Sequence, residues 1–203
     1  RGSVRASAFY THLGQDIVFE ASEGRAEPAG PSTRLGGVLY GEAHPLPWIH
    51  AAGSLTYVHG TLDEPPPRTA ENPSPPFEKG QRLPYVPPVV LRLDASAEHA
   101  LTDVSAHPLV GRAGLGFTYW SPRPLPYGQQ TAKVALLDAE LALQYRLLSL
   151  SMQLLNLADA RYSALELVAA SNWDPSAVPS RIPMRHVIAG APRTWLFTLG
   201  LSI

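Results

Sequence analysis

The sequence contains no cysteine, and only 16% of its 203 residues are charged. The lack of cysteine excludes a disulfide framework and a metal site built from thiolates, although a site built from histidine and carboxylates stays open. The charged fraction is low for a soluble domain, in which about a quarter of the residues are charged. The net charge of −1 provides no global field that would favour nucleic acid or anionic lipid.

Long apolar runs are also missing. No run of roughly 18 or more consecutive apolar residues occurs, so the sequence does not predict a transmembrane helix. It shows no signal-peptide pattern either, and it opens at Arg1 directly into a strand-like pattern. We therefore interpret residues 1–203 as part of a longer precursor.

What the sequence does contain is period-two alternation of apolar and polar residues. Near the end of the chain, Trp195, Phe197 and Leu199 alternate with Thr198 and Gly200. Successive side chains of a strand point to opposite faces, so such a segment predicts a strand with one apolar face and one small or polar face. Seven or eight strands of this kind are predicted, near residues 4–10, 34–43, 49–57, 89–97, 109–119, 135–145, 148–154 and 195–203.

Residues 132–156 are rich in leucine and alanine, and a long helix is the alternative interpretation there. A helix would spread Asp138, Glu140 and Gln144 over different sides, whereas two strands keep all three on one face. The alternation therefore favours two strands joined by a tight turn near residues 146–147.

The connections between the predicted strands alternate in length. They are short at 44–47, 98–108 and 146–147, medium at 121–130, and long at 13–33, 62–85 and 159–190. Short turns on one side and long loops on the other are typical of outer-membrane barrels, which have periplasmic turns and extracellular loops. Counting back from the end of the chain, this pattern predicts a periplasmic C-terminus.

The aromatic residues agree with a barrel that crosses a membrane. Trp48 and Tyr145 lie beside predicted short turns, and Tyr119, Trp120 and Trp195 lie beside longer loops. These are the positions of the two aromatic girdles of an outer-membrane barrel. The predicted fold is all-β: a transmembrane antiparallel β-barrel meander.

Four segments stand out as motifs. Residues 83–88 read Leu-Pro-Tyr-Val-Pro-Pro, residues 156–162 read Asn-Leu-Ala-Asp-Ala-Arg-Tyr, residues 190–194 read Gly-Ala-Pro-Arg-Thr, and residues 45–48 read Pro-Leu-Pro-Trp. Taken together, they resemble the C-terminal barrel half of TonB-dependent outer-membrane receptors. In that family the first segment resembles the one before a strand returning from an extracellular loop, and the second resembles the Asn-Leu-Phe-Asp-x-x-Tyr motif that leaves the penultimate strand. The third resembles the entry to the last strand, and the fourth resembles a periplasmic turn.

The sequence departs from the family pattern at two positions. Ala158 stands where the motif usually has Phe, and the chain ends in Ile203, where the family usually ends in Phe. The resemblance still implies that residues 1–203 are the C-terminal part, with seven or eight strands, of a 22-stranded barrel. The N-terminal plug domain and the TonB box of such receptors are not visible in this sequence.

The resemblance also implies a function. Receptors of this family actively import scarce ligands, such as siderophores, cobalamin or sugars, with energy delivered through TonB. The expected partners are the outer-membrane bilayer, the N-terminal barrel and plug, TonB acting through the plug, and an imported small molecule. We expect no enzymatic activity, no cofactor, no metal site and no nucleic-acid partner.

Two sets of residues are candidate sites. Charges inside the predicted strands are expected to face a wet lumen or the plug, although the solvated face of a soluble sheet is the alternative; these are Arg92, Asp94, Glu98, Arg112, Asp138 and Glu140. Cationic loop residues beside an aromatic residue could bind an anionic ligand, although a solvated loop tip is the alternative. The candidates are Arg68, Trp173, Arg181, Arg185 and His186.

Other functions stay open at this point. His44, His50 and His59 are near one another in sequence, but alternation places His50 and His59 on opposite faces of one strand, which opposes a metal site. A small closed eight-stranded barrel with a structural or adhesion role is one alternative, and a soluble β-sandwich binding module is another. Dependence on detergent would distinguish the sandwich from both barrels.

Overall fold

A computed structural model describes residues 1–21, 24–65, 76–170 and 183–202. Over these ranges the chain forms β-strands joined by turns and loops, with one short 3-10 turn at Pro126–Gly128. The strands are β1 (Gly2–Glu20), β2 (Arg25–Leu46), β3 (Ile49–Leu62), β4 (Val89–Val104), β5 (His107–Trp120), β6 (Val134–Tyr145), β7 (Leu148–Leu155), β8 (Ser163–Ala170), β9 (Pro183–Ala189) and β10 (Thr194–Leu201). Within the described ranges, no helix is long and apolar enough to cross a bilayer.

Eight of these strands form one antiparallel sheet in the order β1-β2-β3-β4-β5-β6-β7-β10. The predicted meander is confirmed from β1 to β7. β10 then pairs with β7, because β8 and β9 form a separate hairpin in the connection between them. β1 and β10 are the two ends of the sheet, and in the described part of the chain they do not pair with each other.

Three two-residue turns lie at one end of this sheet, at 47–48, 105–106 and 146–147. Ser105 and Ala106 both have positive φ (49° and 64°), as does Arg146 (51°). Turns with positive φ follow the right-handed twist of the strands they join, which explains these conformations in non-glycine residues. The amide of Ser202 donates to the Leu147 carbonyl (2.8 Å), so the end of β10 lies on the same side. We call this side the short-turn side and the opposite one the long-loop side.

The prediction of a long connection at 13–33 was wrong. β1 continues to Glu20 and β2 starts at Arg25, with Leu13 opposite Ser32 and a bulge near Asp16. The backbone ladder continues there, but loop residues cover part of the hairpin, so apolar and polar residues no longer alternate as they do in the rest of the strand. The 98–108 connection also shrinks, to the two-residue turn 105–106, and the 159–190 connection contains the β8–β9 hairpin.

A small apolar core lies on the long-loop side rather than between two sheets. It consists of Val18, Ala29, Leu62, Phe77 and Leu83, with Tyr85 packed against it. In contrast, many large apolar side chains along the eight-stranded sheet are exposed. A soluble β-sandwich would bury such side chains between its sheets, so that alternative does not describe this fold.

Candidate functional site

The six charged residues predicted to face a lumen lie on one face of the sheet. On β4, Arg92, Asp94 and Glu98 are separated by even numbers of residues, so their side chains point to the same face. Residues opposite each other on paired strands share a face, and Glu98 is opposite Arg112 while Asp94 is opposite Gly116. On β6, Asp138 is also opposite Gly116. We call this face the inner face; its predicted charges are Arg92, Asp94, Glu98, Arg112, Asp138 and Glu140.

The opposite face, which we call the outer face, is apolar. Leu141 is 52% exposed and Leu199 is 76% exposed. Leu137 and Leu150 lie on the same face, because Leu137 is four residues from Leu141 on β6 and Leu150 pairs with both Leu143 and Leu199. The predicted separation of charged and apolar residues onto opposite faces is confirmed.

Five of the six inner-face charges, all except Glu98, line an open cleft of about 520 Å³. Small residues at Ala52, Gly114 and Gly116 leave the space, and the longer side chains border it. Three carboxylates, Asp94, Asp138 and Glu140, and two guanidinium groups, Arg92 and Arg112, line this cleft. The cleft is therefore polar, mixed in charge and slightly acidic.

Arg92 is the centre of the charge cluster. Its guanidinium forms an ion pair with Asp94, donating to Asp94 from both Nε (2.9 Å) and Nη2, and it donates from Nη1 to the Thr118 hydroxyl (2.8 Å). The Asp138 carboxylate lies 3.6 Å from Arg92 Nη1. Because Asp138 belongs to β6, one guanidinium joins side chains of three neighbouring strands.

We expect measurable coupling between Arg92 and Asp138. In a double-mutant cycle with Arg92→Gln and Asp138→Asn, the coupling energy should be about 0.5–1 kcal/mol, because both side chains are partly exposed and solvent screens the pair. Chemical denaturation from lipid or detergent measures it. The control cycle uses Arg112→Gln with Asp138→Asn, and equal coupling in the two cycles would contradict the assignment.

The segment that leaves β7 is built around Asn156, which has positive φ (53°) and is only 4% exposed. Its side-chain amide donates to the carbonyls of Ala160 (3.0 Å) and Ala191 (3.2 Å), and its Oδ1 accepts from the Ala160 amide (2.8 Å). Its backbone amide donates to Asp138 Oδ1 (2.9 Å). This turn therefore connects β7, the approach to β10 and the inner-face charge cluster.

Two further contacts complete the turn. Asp159 Oδ1 accepts a hydrogen bond from the Arg193 amide (3.0 Å), next to the start of β10. The Tyr162 ring packs directly over Gly190, where any Cβ would collide with the ring. These contacts give a physical reason for two of the sequence motifs: residues 156–162 and 190–194 form one interlocked connection.

A second polar cluster, not found by sequence analysis, lies high on the β1–β2 hairpin. The buried Asp16 carboxylate accepts hydrogen bonds from the Ser32 hydroxyl (2.6 Å), Arg34 Nη2 (2.6 Å) and the Ile17 amide (2.8 Å). Burial alone raises the pKa of Asp16, but these hydrogen bonds and the Arg34 charge outweigh it, so its pKa lies below the ordinary value of 3.8. Asp16 pairs with Gly30, beyond Ser32 and Leu62, the last residue pair of β2 with β3, so it lies on the long-loop side.

We expect the hairpin to depend on pH through Asp16. A lowered pKa in the folded state means that the stabilisation is complete above the ordinary pKa and is lost as the pH falls through the lowered value. Asp16→Asn should therefore lower the free energy of opening of the hairpin amides by about 1–2 kcal/mol at pH 7. The difference between the variant and the wild type should shrink in acid. Hydrogen exchange measures both effects. Glu27→Gln, at an exposed position of the same hairpin, should change little.

The predicted ligand-binding residues are only partly described. Arg68, Trp173 and Arg181 lie outside the described residues. Arg185 and His186 are on β9, and Arg185 Nη1 lies 3.6 Å from Glu166 and donates to the Gln130 carbonyl (3.3 Å). Arg185 thus has a role within the fold, and ligand binding by these residues stays a prediction.

The connections on the long-loop side are joined to one another by hydrogen bonds. The links join four segments into one series: the β1–β2 hairpin, the β3–β4 connection, the β5–β6 connection and the β8–β9 hairpin. The links are Asp63 N to Pro31 O (2.8 Å), Tyr85 N to Pro124 O (2.8 Å), Tyr127 N to Pro76 O (2.8 Å), Ala132 N to Glu166 Oε1 (3.3 Å) and Arg185 Nη1 to Gln130 O (3.3 Å). We call this series the loop rim.

Comparison with known proteins identifies the fold. No family model matches the chain, and no curated protein sequence matches it. Solved structures do match over almost the whole chain. The ferric-catecholate import receptor Fiu of E. coli K12 covers 99% of it, at 19% identity and a TM-score of 0.66. The ferric yersiniabactin uptake receptor FyuA of Yersinia pestis covers 98% of the chain, at 16% identity and a TM-score of 0.68. The copper transporter OprC covers 100% of it, at 17% identity and a TM-score of 0.65.

The fold is that of a TonB-dependent receptor barrel. The chain spans about a quarter of the length of these solved structures: 25% of Fiu, 27% of FyuA and 29% of OprC. The expectation from the sequence motifs is confirmed for the fold. In a TonB-dependent receptor barrel the apolar outer face meets lipid and the polar inner face meets the lumen.

Proposed function

We propose that this chain supplies C-terminal barrel strands and extracellular loops of an outer-membrane receptor that imports a scarce ligand with energy from TonB. The observation that carries the proposal is the match of 98–100% of the chain to import receptors and transporters, with TM-scores up to 0.68. The polar inner face and the apolar outer face support it, because a water-filled or plugged lumen needs both.

The proposed ligand is of the siderophore type, with cobalamin or a sugar as the alternatives from the sequence resemblance. Four of the five solved structures compared are named as receptors for ferric compounds or siderophores, and the fifth as a copper transporter. The proposed location is the outer membrane of a Gram-negative cell. The short-turn side, with the C-terminus, would face the periplasm.

The proposed partners follow from this arrangement. The cleft around Arg92, Asp94 and Asp138 offers both cations and carboxylates on the inner face, which suits a polar plug surface more than an apolar one. TonB would act through that plug. The strands β1 and β10, which end the sheet, would pair with further strands of the barrel, because unpaired edges are unfavourable in hydrocarbon.

The test is uptake of a labelled ferric siderophore by cells that depend on the full-length protein under iron limitation. We expect uptake in cells with TonB and none in an otherwise identical strain without it. A panel with ferric catecholate, ferric hydroxamate, cobalamin and an oligosaccharide distinguishes the ligand types. Uptake that is equal with and without TonB would contradict the proposed function and favour a passive barrel.

A further inference from the structure

Two histidines meet on the inner face near the short-turn side. His44 and His50 come from the adjacent strands β2 and β3, and their ring centroids are 4.8 Å apart, with a tilt of 43° between the ring planes. His50 lines the inner-face cleft. The third histidine of this region, His59, pairs with Leu35 at an odd-numbered position of β3, so it lies on the outer face. The fold thus brings together two of the three imidazoles that sequence analysis had considered.

The spacing of the two rings matches that of two imidazoles on one metal ion. A metal–nitrogen bond is about 2.0–2.1 Å long, and the ring centre lies about 1.1 Å beyond the nitrogen. Two such ligands at a right angle therefore have centroids about 4.5 Å apart, and at the tetrahedral angle about 5.2 Å apart. The observed 4.8 Å falls between these values. The tilt also distinguishes the pair from two rings stacked face to face.

The backbone around the pair is held by ladder pairs on both sides. Ala43 pairs with Ala51 before the two histidines and Leu46 pairs with Ile49 after them, and the register shifts by one residue between these pairs, around His44. Pro45, near the end of β2, and Pro47, in the turn that follows, have rings that restrict the backbone. The amide of His44 donates to the Arg1 carbonyl (2.7 Å). Two ligands positioned in advance lose little conformational freedom when they bind a common ion.

The charge of the cleft favours a cation. Three carboxylates and two guanidinium groups line it together with His50, which leaves one net negative charge. In the described ranges no group of three or more histidine, aspartate, glutamate or cysteine side chains is arranged to hold a metal. Two imidazoles would therefore be the protein ligands, and water would fill the remaining positions.

We propose that His44 and His50 form a two-imidazole site for a divalent transition-metal ion, such as Cu²⁺, Ni²⁺ or Zn²⁺, on the inner face beside the short turns. Imidazole suits these ions, and Cu²⁺ binds most tightly in the usual order of stability. The site has no need of the proposed import function, because it depends only on the pairing of β2 with β3. In an import receptor it would hold a metal ion on the periplasmic side of the lumen.

The test uses the full-length protein in detergent, purified with a tag that contains no histidine, and Cu²⁺ alone as the probe. Calorimetry should show a Cu²⁺ site in the wild type that weakens on the order of 100-fold in either His44→Gln or His50→Gln, because two linked ligands raise the effective concentration. His59→Gln is the matched control and should bind like the wild type. Equal affinity in the wild type and in either of the first two variants would overturn the proposal.

Electron paramagnetic resonance of the wild type gives a second test that needs no variant. The bound Cu²⁺ should show coupling to two imidazole nitrogens, and each of the two single variants should show one. If the wild type with one equivalent of Cu²⁺ showed coupling to one imidazole or to none, the site would be overturned. This outcome can be read even where a variant fails to fold, because it needs the wild type alone. A loss of affinity in His59→Gln as large as in His50→Gln would do the same.

Discussion

Replacing Leu141 by Arg should lower the free energy of unfolding from lipid by about 2–4 kcal/mol, which is the cost of a cation near the bilayer midplane on the lipid face of a barrel. Leu141 is in the middle of the paired part of β6, opposite Ala113 on β5 and Met152 on β7. It is 52% exposed on the outer face. Denaturant titration of the full-length protein in lipid vesicles measures the loss.

The matched control is Ser151→Arg. Ser151 is on the neighbouring strand, opposite Ala142 and Thr198, and faces the inner side. An arginine there reaches the polar lumen and should cost little. Leu199→Arg tests the dependence on depth: Leu199 pairs with Leu150, nearer the short turns, so its cost should be smaller than that of Leu141→Arg. Equal losses in Leu141→Arg and Ser151→Arg would show that the two faces are assigned wrongly.

Asn156→Ala should destabilise the connection between β7 and β10 by about 2–4 kcal/mol. The substitution removes three hydrogen bonds between the buried Asn156 side chain and the backbone of Ala160 and Ala191, at about 1–3 kcal/mol in total. It also places alanine in a left-handed conformation (φ 53°), which costs about 1 kcal/mol more than asparagine. Denaturant titration gives the total, and hydrogen exchange locates it.

Asn156→Gly separates the two contributions. Glycine accepts the positive φ freely but makes no side-chain hydrogen bond, so this variant should retain the backbone conformation and lose only the hydrogen bonds. We expect it to be more stable than Asn156→Ala. If both variants matched the wild type, the hydrogen bonds of Asn156 would not hold this connection together.

The sequence was enough to predict the strands of the eight-stranded sheet. A polar inner face and an apolar outer face impose strict alternation, as between Asp138 and Leu141, and that alternation is visible residue by residue. The top of the β1–β2 hairpin was missed because polar and apolar residues are not sorted onto two faces there: Asp16 and Val18 are buried beside Ile17, which is exposed. A backbone ladder can continue where the pattern of side chains stops.

The contacts within the site could not be predicted in the same way. Alternation assigns Arg92 and Asp138 to the same face, but they are on strands separated by β5, and their proximity depends on the registers of two strand pairs. A shift of two residues in either register would keep every face and separate the two charges. The meeting of His44 with His50 likewise depends on how β2 pairs with β3 and on the shift of that register between Ala43 and Leu46, both of which the sequence pattern alone leaves open.

The loop rim gives the long-loop side a mechanical property that separate loops would lack. A force applied to the β8–β9 hairpin passes through Glu166 to Ala132 and through Arg185 to Gln130, and from there along the neighbouring connections toward β1 and β2. The load is thus shared along the loop rim instead of being borne by β7 and β10 alone. A displacement of one loop would have to stretch hydrogen bonds to its neighbours, so the described loops of this side would move together.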